Sequence, residues 1–220
     1  MRNVVAAAAV IVSIFAPAGS AVSAGAGVLA APATDAPPPE KDRIGVDVLN
    51  VNGSGCKKPT VAVSVSPDNK AFTVIYSGYV AQVGGGAKKN DARKDCRLNL
   101  KIRAVPGFAY TILRADYRGF AELGAGASAT LGATYSFQGP KGPQRLHSIS
   151  GPLADSWQAT DVSNASALVY GPCGGSRNLS VDTELSVSAG KSDPATTNYV
   201  AMDSADGGLE TKYTFAWKRC

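Results

Sequence analysis

Runs in which every second residue is apolar dominate this chain and restrict it to antiparallel sheet. Ile44, Val46 and Val48 alternate with Gly45 and Asp47, and Val61, Val63 and Val65 alternate with small residues. Cys96, Leu98, Leu100 and Ile102 alternate with Arg97, Asn99, Lys101 and Arg103. Val181, Leu185 and Val187 share a face opposite Asp182 and Glu184, and Leu209, Tyr213, Phe215 and Trp217 alternate with Glu210, Lys212 and Lys218. Successive side chains of a strand point to opposite faces, so such runs bury one face and solvate the other. Parallel sheets, covered on both faces, read as unbroken apolar runs instead. Turn-forming stretches separate the runs: Asn52-Gly53, Pro67-Asp68-Asn69, Gly84-Gly85-Gly86, Pro106-Gly107, Gly139-Pro140, Gly171-Pro172 and Asp206-Gly207. After the N-terminal segment no stretch keeps a helical period for three turns. Many short, one-faced strands pack as two facing sheets. The expected fold is therefore all-β, an antiparallel β-sandwich, with a barrel as the alternative.

The N-terminus has the make-up of a secretory signal peptide, expected over residues 1–24. Arg2 supplies a positive start, Val4 to Phe15 is apolar and uncharged, and Ala16-Pro17-Ala18 and Val22-Ser23-Ala24 offer cleavage ends. The apolar run is too short to span a bilayer comfortably, no stop-transfer charges follow it and no apolar tail precedes the C-terminus. A released, extracellular product without a transmembrane anchor is expected. Residues 25–43, rich in Ala and Pro and ending in Pro37-Pro38-Pro39, have little to bury and read as an extended tether. Residues 44–220 then form a single domain, long enough to bury a sizeable core.

Four cysteines, Cys56, Cys96, Cys173 and Cys220, are an even number in an exported chain, which argues for two disulfides. Three connectivities exist. Cys56–Cys96 with Cys173–Cys220 is preferred because each pair then closes within its own half of the chain. A zinc site would need closer spacing and more histidine than His147 alone, so no metal or cofactor is expected.

Motifs for chemistry are sparse. A Ser-His-Asp or Cys-His site would have to use His147, and the cysteines are committed elsewhere. Asp182 and Glu184 lie on one strand face, about 7 Å apart, a separation compatible with an inverting glycosidase pair but common on any solvated strand. Asp203-Ser204-Ala205-Asp206-Gly207 lacks the spacing and closing Glu of a calcium loop and reads as a turn. Gly84-Gly85-Gly86 with Lys88-Lys89 lacks the phosphate-loop arrangement and reads as a hairpin loop. Asn52-Gly53-Ser54, Asn164-Ala165-Ser166 and Asn178-Leu179-Ser180 match the glycosylation sequon, which matters only in a eukaryotic host.

Charge is distributed unevenly. The formal net charge is +5. Between Cys56 and Arg103, Lys57, Lys58, Lys70, Lys88, Lys89, Arg93, Lys94, Arg97, Lys101 and Arg103 are opposed only by Asp68, Asp91 and Asp95. The alternation puts Arg97, Lys101 and Arg103 on one solvent face of a strand, with Lys88, Lys89, Arg93 and Lys94 in the preceding loop. Such a face attracts anionic polymers, with cell-wall or acidic polysaccharide the expected partner. Nucleic acid is not expected, since no aromatic-interleaved platform accompanies the charge.

Asn52-Gly53-Ser54-Gly55-Cys56, Asp95-Cys96-Arg97-Leu98-Asn99-Leu100, Asp116-Tyr117-Arg118-Gly119-Phe120-Ala121, Gly151-Pro152-Leu153 and Pro172-Cys173-Gly174, with three stretches nearer the C-terminus, together resemble the secreted family catalogued as domain of unknown function 4360, found in filamentous actinobacteria and in fungi. Arg177 to Leu185, Met202-Asp203-Ser204 and Phe215-Ala216-Trp217-Lys218 complete the set. The resemblance spans roughly Ile44 to Cys220. It implies export, a β-rich fold and paired cysteines, and it transfers no catalytic residue. The preferred function is a secreted, non-enzymatic protein that associates with the cell envelope or an anionic extracellular polymer. The alternative is a secreted polysaccharide hydrolase using paired carboxylates such as Asp182 and Glu184.

Overall fold

A computed structural model of the chain describes Pro37 and residues 44–138, 141–164, 168–202 and 210–220. The signal segment and almost all of the tether lie outside the described residues, as do Leu209 and the Asp203–Gly207 turn.

Among the described residues, twelve strands form two antiparallel sheets. In chain order they are β1 (Gly45–Asn52), β2 (Val61–Val65), β3 (Ala71–Tyr76), β4 (Val80–Val83), β5 (Arg93–Arg103) and β6 (Phe108–Leu123). Then follow β7 (Ser128–Phe137), β8 (Arg145–Ser150), β9 (Leu153–Val162), β10 (Ser176–Ser188), β11 (Asn198–Ala201) and β12 (Thr211–Arg219). The five-stranded sheet has the order β1-β5-β10-β7-β8. The seven-stranded sheet runs β2-β3-β12-β6-β11-β4, with β9 paired to the other edge of β6. Among the described residues the sheets do not close into a barrel, which leaves the sandwich.

The expected alternation is clearest in β5, where Cys96, Leu98, Leu100 and Ile102 are buried while Arg97 and Arg103 are exposed. Its neighbour β10 buries Leu179, Val181 and Leu185 on the same side. The facing sheet contributes aromatics. Phe72 on β3 stacks on Tyr213 of β12 with centroids 4.7 Å apart, and Tyr117 of β6 meets Tyr213 edge-on. Each such fully buried side chain contributes about 1.5–3 kcal/mol by leaving water.

β6 departs from simple alternation. Phe215 pairs with Ile112 while Thr214 pairs with Arg114, so Leu113 is an extra residue, a bulge. Tyr110 and Ile112 face inward before it, and Ala115, Tyr117 and Ala121 face inward after it.

Both disulfides take the sequence-local pairing. Cys56–Cys96 ties the segment after β1 to β5 (Cα–Cα 5.4 Å), and Cys173–Cys220 ties the approach to β10 to the end of β12 (Cα–Cα 6.0 Å). One expectation about the basic segment needs correction. Arg93 and Lys94 are not in a loop: β5 begins at Arg93, because β10 is long enough to pair Ser186 with Arg93 and Leu185 with Lys94.

Candidate functional site

The outward face of the five-stranded sheet carries the cations singled out in the sequence. Arg93, Arg97, Lys101 and Arg103 alternate along the outer side of β5. Strand register fixes their neighbours. Arg97 lies between Asn52 of β1 and Asp182 of β10, and Lys101 lies between Asp47 and Asn178. Lys88 and Lys89 are exposed at the 3-10 turn (Lys89–Asp91) that precedes β5. Lys94 has the opposite parity, is half-buried, and its Nζ donates to Asp91 at 2.8 Å, so it does not join the row.

All three guanidinium groups in the row are held by carboxylates. Arg97 Nε donates to Asp182 Oδ1 at 2.6 Å and its Nη2 to Oδ2 at 3.3 Å. Lys141 Nζ reaches the same Oδ2 at 2.6 Å. Arg93 pairs with Glu184 and Arg103 with Asp47. Among the described residues, Lys88, Lys89 and Lys101 form no ion pair.

A groove of about 440 Å³ lies across this face, lined by Asn52, Arg97, Lys141, Gln144, Asp182 and Glu184 among others. Gly132 of β7 helps keep it open: Gln144 Nε2 stands only 2.8 Å from where a Cβ at that position would lie. Burial pushes the Asp182 carboxyl up, and the hydrogen bonds from Arg97 and Lys141 together outweigh it, so this carboxyl lies below its ordinary value. Asp95, also in the groove, is held low chiefly by the Ser54 hydroxyl, which donates to its Oδ1 at 2.6 Å. The groove thus presents cations, carboxylates and amides side by side. Lys141 and Gln144 were not legible in the sequence because they lie between β7 and β8, and only the pairing of β7 with β10, which sets Thr134 opposite Asp182, brings that connection to the groove.

Contrary to its bland sequence surroundings, His147 belongs to a partly buried polar chain. It faces inward from β8, and its Nε2 lies 2.8 Å from Oδ1 of Asp161 on β9. A carboxylate only accepts, so Nε2 carries the proton. Tyr135 donates to Asp161 Oδ2 at 2.5 Å and accepts from the Tyr117 hydroxyl. Among the described residues no serine hydroxyl hydrogen-bonds His147. Both Asp182 and Glu184 are engaged by cations, as described above. Asn52 and Asn178, of two sequons, are exposed on the outer sheet face; Asn164 is exposed, and the rest of its sequon lies outside the described residues. Among the described residues there is no cluster of three or more metal-ligating side chains, and no helix is long and apolar enough to cross a membrane.

The chain is 30% identical over 183 residues to an uncharacterized secreted protein of the fungus Arthroderma benhamiae, covering 83% of this chain and 74% of that protein. Among solved structures, the complex of TmCBM61 with beta-1,4-galactotriose matches with a TM-score of 0.28 and 11% identity, over 80% of this chain and 88% of that one. With its two disulfides and a secreted relative, the protein is extracellular. Residues 42–220 match the family described as domain of unknown function (DUF4360), and the chain belongs to that family.

Proposed function

We propose that this is a non-enzymatic binding protein whose outer five-stranded face takes an anionic polysaccharide of the cell envelope or extracellular matrix. The observation that carries this reading is the groove in which Arg97, Lys141 and Asp182 are locked together beside Asn52, Gln144 and Glu184. Guanidinium and carboxylate side by side offer a donor and an acceptor to neighbouring hydroxyls, and a disulfide at Cys96 stiffens the strand that holds them. Lys88, Lys89 and Lys101, unpaired among the described residues, add long-range attraction for carboxylates or phosphates on the polymer.

Hydrolysis by Asp182 and Glu184 fits less well. A glycosidase acid must hold its proton near neutral pH. The Asp182 carboxyl is instead kept ionised by Arg97 and Lys141.

The test is sedimentation of the purified protein with isolated cell walls and with anionic wall polymers across a salt series. Wild type binds at low salt and releases as the Debye length contracts to about 8 Å and below. Replacing Arg97, Lys101 and Arg103 together by Gln lowers binding at least about ten-fold. No binding by wild type at low salt, or equal binding by the triple variant, overturns the proposal. Turnover of any glycan that is lost in Glu184→Gln establishes the hydrolase instead.

A further inference from the structure

A second opening lies at the side of the sandwich, between the sheets. β9 ends its pairing with β6 at Val162, and β8 begins its pairing with β7 only at Arg145, opposite Ala133. Beyond these ends a cleft of about 180 Å³ lies between β6, β7 and the segment after β9. Ile112, Phe137, Leu168 and Val169 give it apolar walls, and Tyr135 and Asp161 supply polar groups. Val169 is 67% exposed, a large apolar side chain left in water at the cleft.

Asp161 is the unusual component. It is only 5% exposed, yet it is a carboxylate. Tyr135 and His147 each donate one hydrogen bond to it. An ionised carboxylate offers about four acceptor positions, so about two remain unfilled by these donors. A buried charge with acceptor capacity left over among the described residues, lining a cleft with apolar walls, is suited to a guest that brings a donor.

We propose that this cleft binds a compact, mostly apolar molecule the size of one six-membered ring, which presents a hydroxyl to Asp161. The size follows from the volume, since a cavity of roughly 150 Å³ holds benzene. The hydroxyl follows from the charges. Arg114 also lines the cleft, its guanidinium held by Asp116 at 2.6 Å, and it opposes an ammonium guest. A hydroxyl completes the carboxylate's hydrogen bonds without a second buried charge, and a plain hydrocarbon leaves them unmade. No described residue lines both this cleft and the outer-face groove, so the inference stands apart from polysaccharide binding.

Phenol and toluene differ by a hydroxyl in place of a methyl group and isolate this interaction. Amide chemical-shift titrations of the ¹⁵N-labelled protein with phenol, toluene and benzylammonium read both affinity and place. Phenol binds at least about ten-fold tighter than toluene and tighter than benzylammonium, with shifts at Phe137, Asp161 and Leu168. Asp161→Asn brings phenol down to the level of toluene. Leu168→Trp, on the half-exposed wall and outside the polar chain, removes both while wall-polymer binding is unchanged. Equal binding of phenol and toluene, tighter binding of benzylammonium, shifts confined to other surfaces, or undiminished binding in Leu168→Trp overturns the proposal.

Discussion

His147 of β8 hydrogen-bonds Asp161 of β9 at 2.8 Å, and in doing so joins an edge strand of one sheet to an edge strand of the other. Arg145 reinforces the seam by donating to the carbonyl of Val162 at 3.2 Å.

Replacing Asp161 by Ala strands Tyr135 and His147 without their shared acceptor. Urea unfolding should show a loss of about 3 kcal/mol. His147→Ala should cost less, about 1 kcal/mol, because the imidazole is 26% exposed and water replaces part of its bonding. Equal costs would place the energetic centre of the chain at the histidine rather than at the carboxylate.

Acid should weaken the fold below the ordinary carboxylate range. Hydrogen bonds from Arg114 hold Asp116 low against its burial, the Ser54 hydroxyl does the same for Asp95, and at Asp182 burial is outweighed by Arg97 and Lys141. A depressed folded-state value stabilises above the unfolded value, near pH 4, and that contribution disappears as pH falls through the folded value. The urea midpoint should stay flat from about pH 7 to 5 and fall below about 4. In Asp182→Asn the fall should be shallower.

Alkali acts in the opposite sense on the core. Burial raises Tyr76, Tyr110 and Tyr135 well above the ordinary phenol value. Their contribution is complete below about pH 10 and is lost as pH rises further. Tyrosinate absorbance should therefore appear late, and together with unfolding.

Removing the Cys173–Cys220 link by paired Ser substitutions opens a loop with a sequence separation of 47. Chain entropy puts the loss at about 4 kcal/mol at most. Denaturant melts of the oxidised protein and the double variant measure it.

Gly119→Ala should destabilise by about 2 kcal/mol or more, because a Cβ there would come within 1.9 Å of the Ala201 carbonyl oxygen and 2.5 Å of the Trp157 ring. Thermal melts check the size of the effect. The glycine lets β6 pass close to both neighbours, and neither contact could be read from the Asp116–Ala121 stretch alone.

What the sequence made legible was local. Leu98, Leu100 and Ile102 could be assigned inward by counting, and the cysteine pairs by proximity along the chain. β6 could not be counted in this way, since the bulge at Leu113 moves the inward residues from even to odd positions in mid-strand. On the outer face the cations of β5 were visible, and so were Asp182 and Glu184, but not that these acids neutralise them. Asp182 reaches Arg97 through strand pairing across 85 positions. His147 looked ordinary for a related reason: its partner sits on the next strand, in the other sheet.

The order of strands also sets a schedule. β12 lies between β3 and β6, so Tyr213 must slot beside Phe72, which is synthesised long before it. Pairings this remote along the chain make folding slow and leave the seven-stranded sheet gapped until the last strand arrives. A nascent chain of this design is unable to complete its core early. For an extracellular protein, that delay leaves the core open until β12 is present, and the Cys173–Cys220 link can close only then.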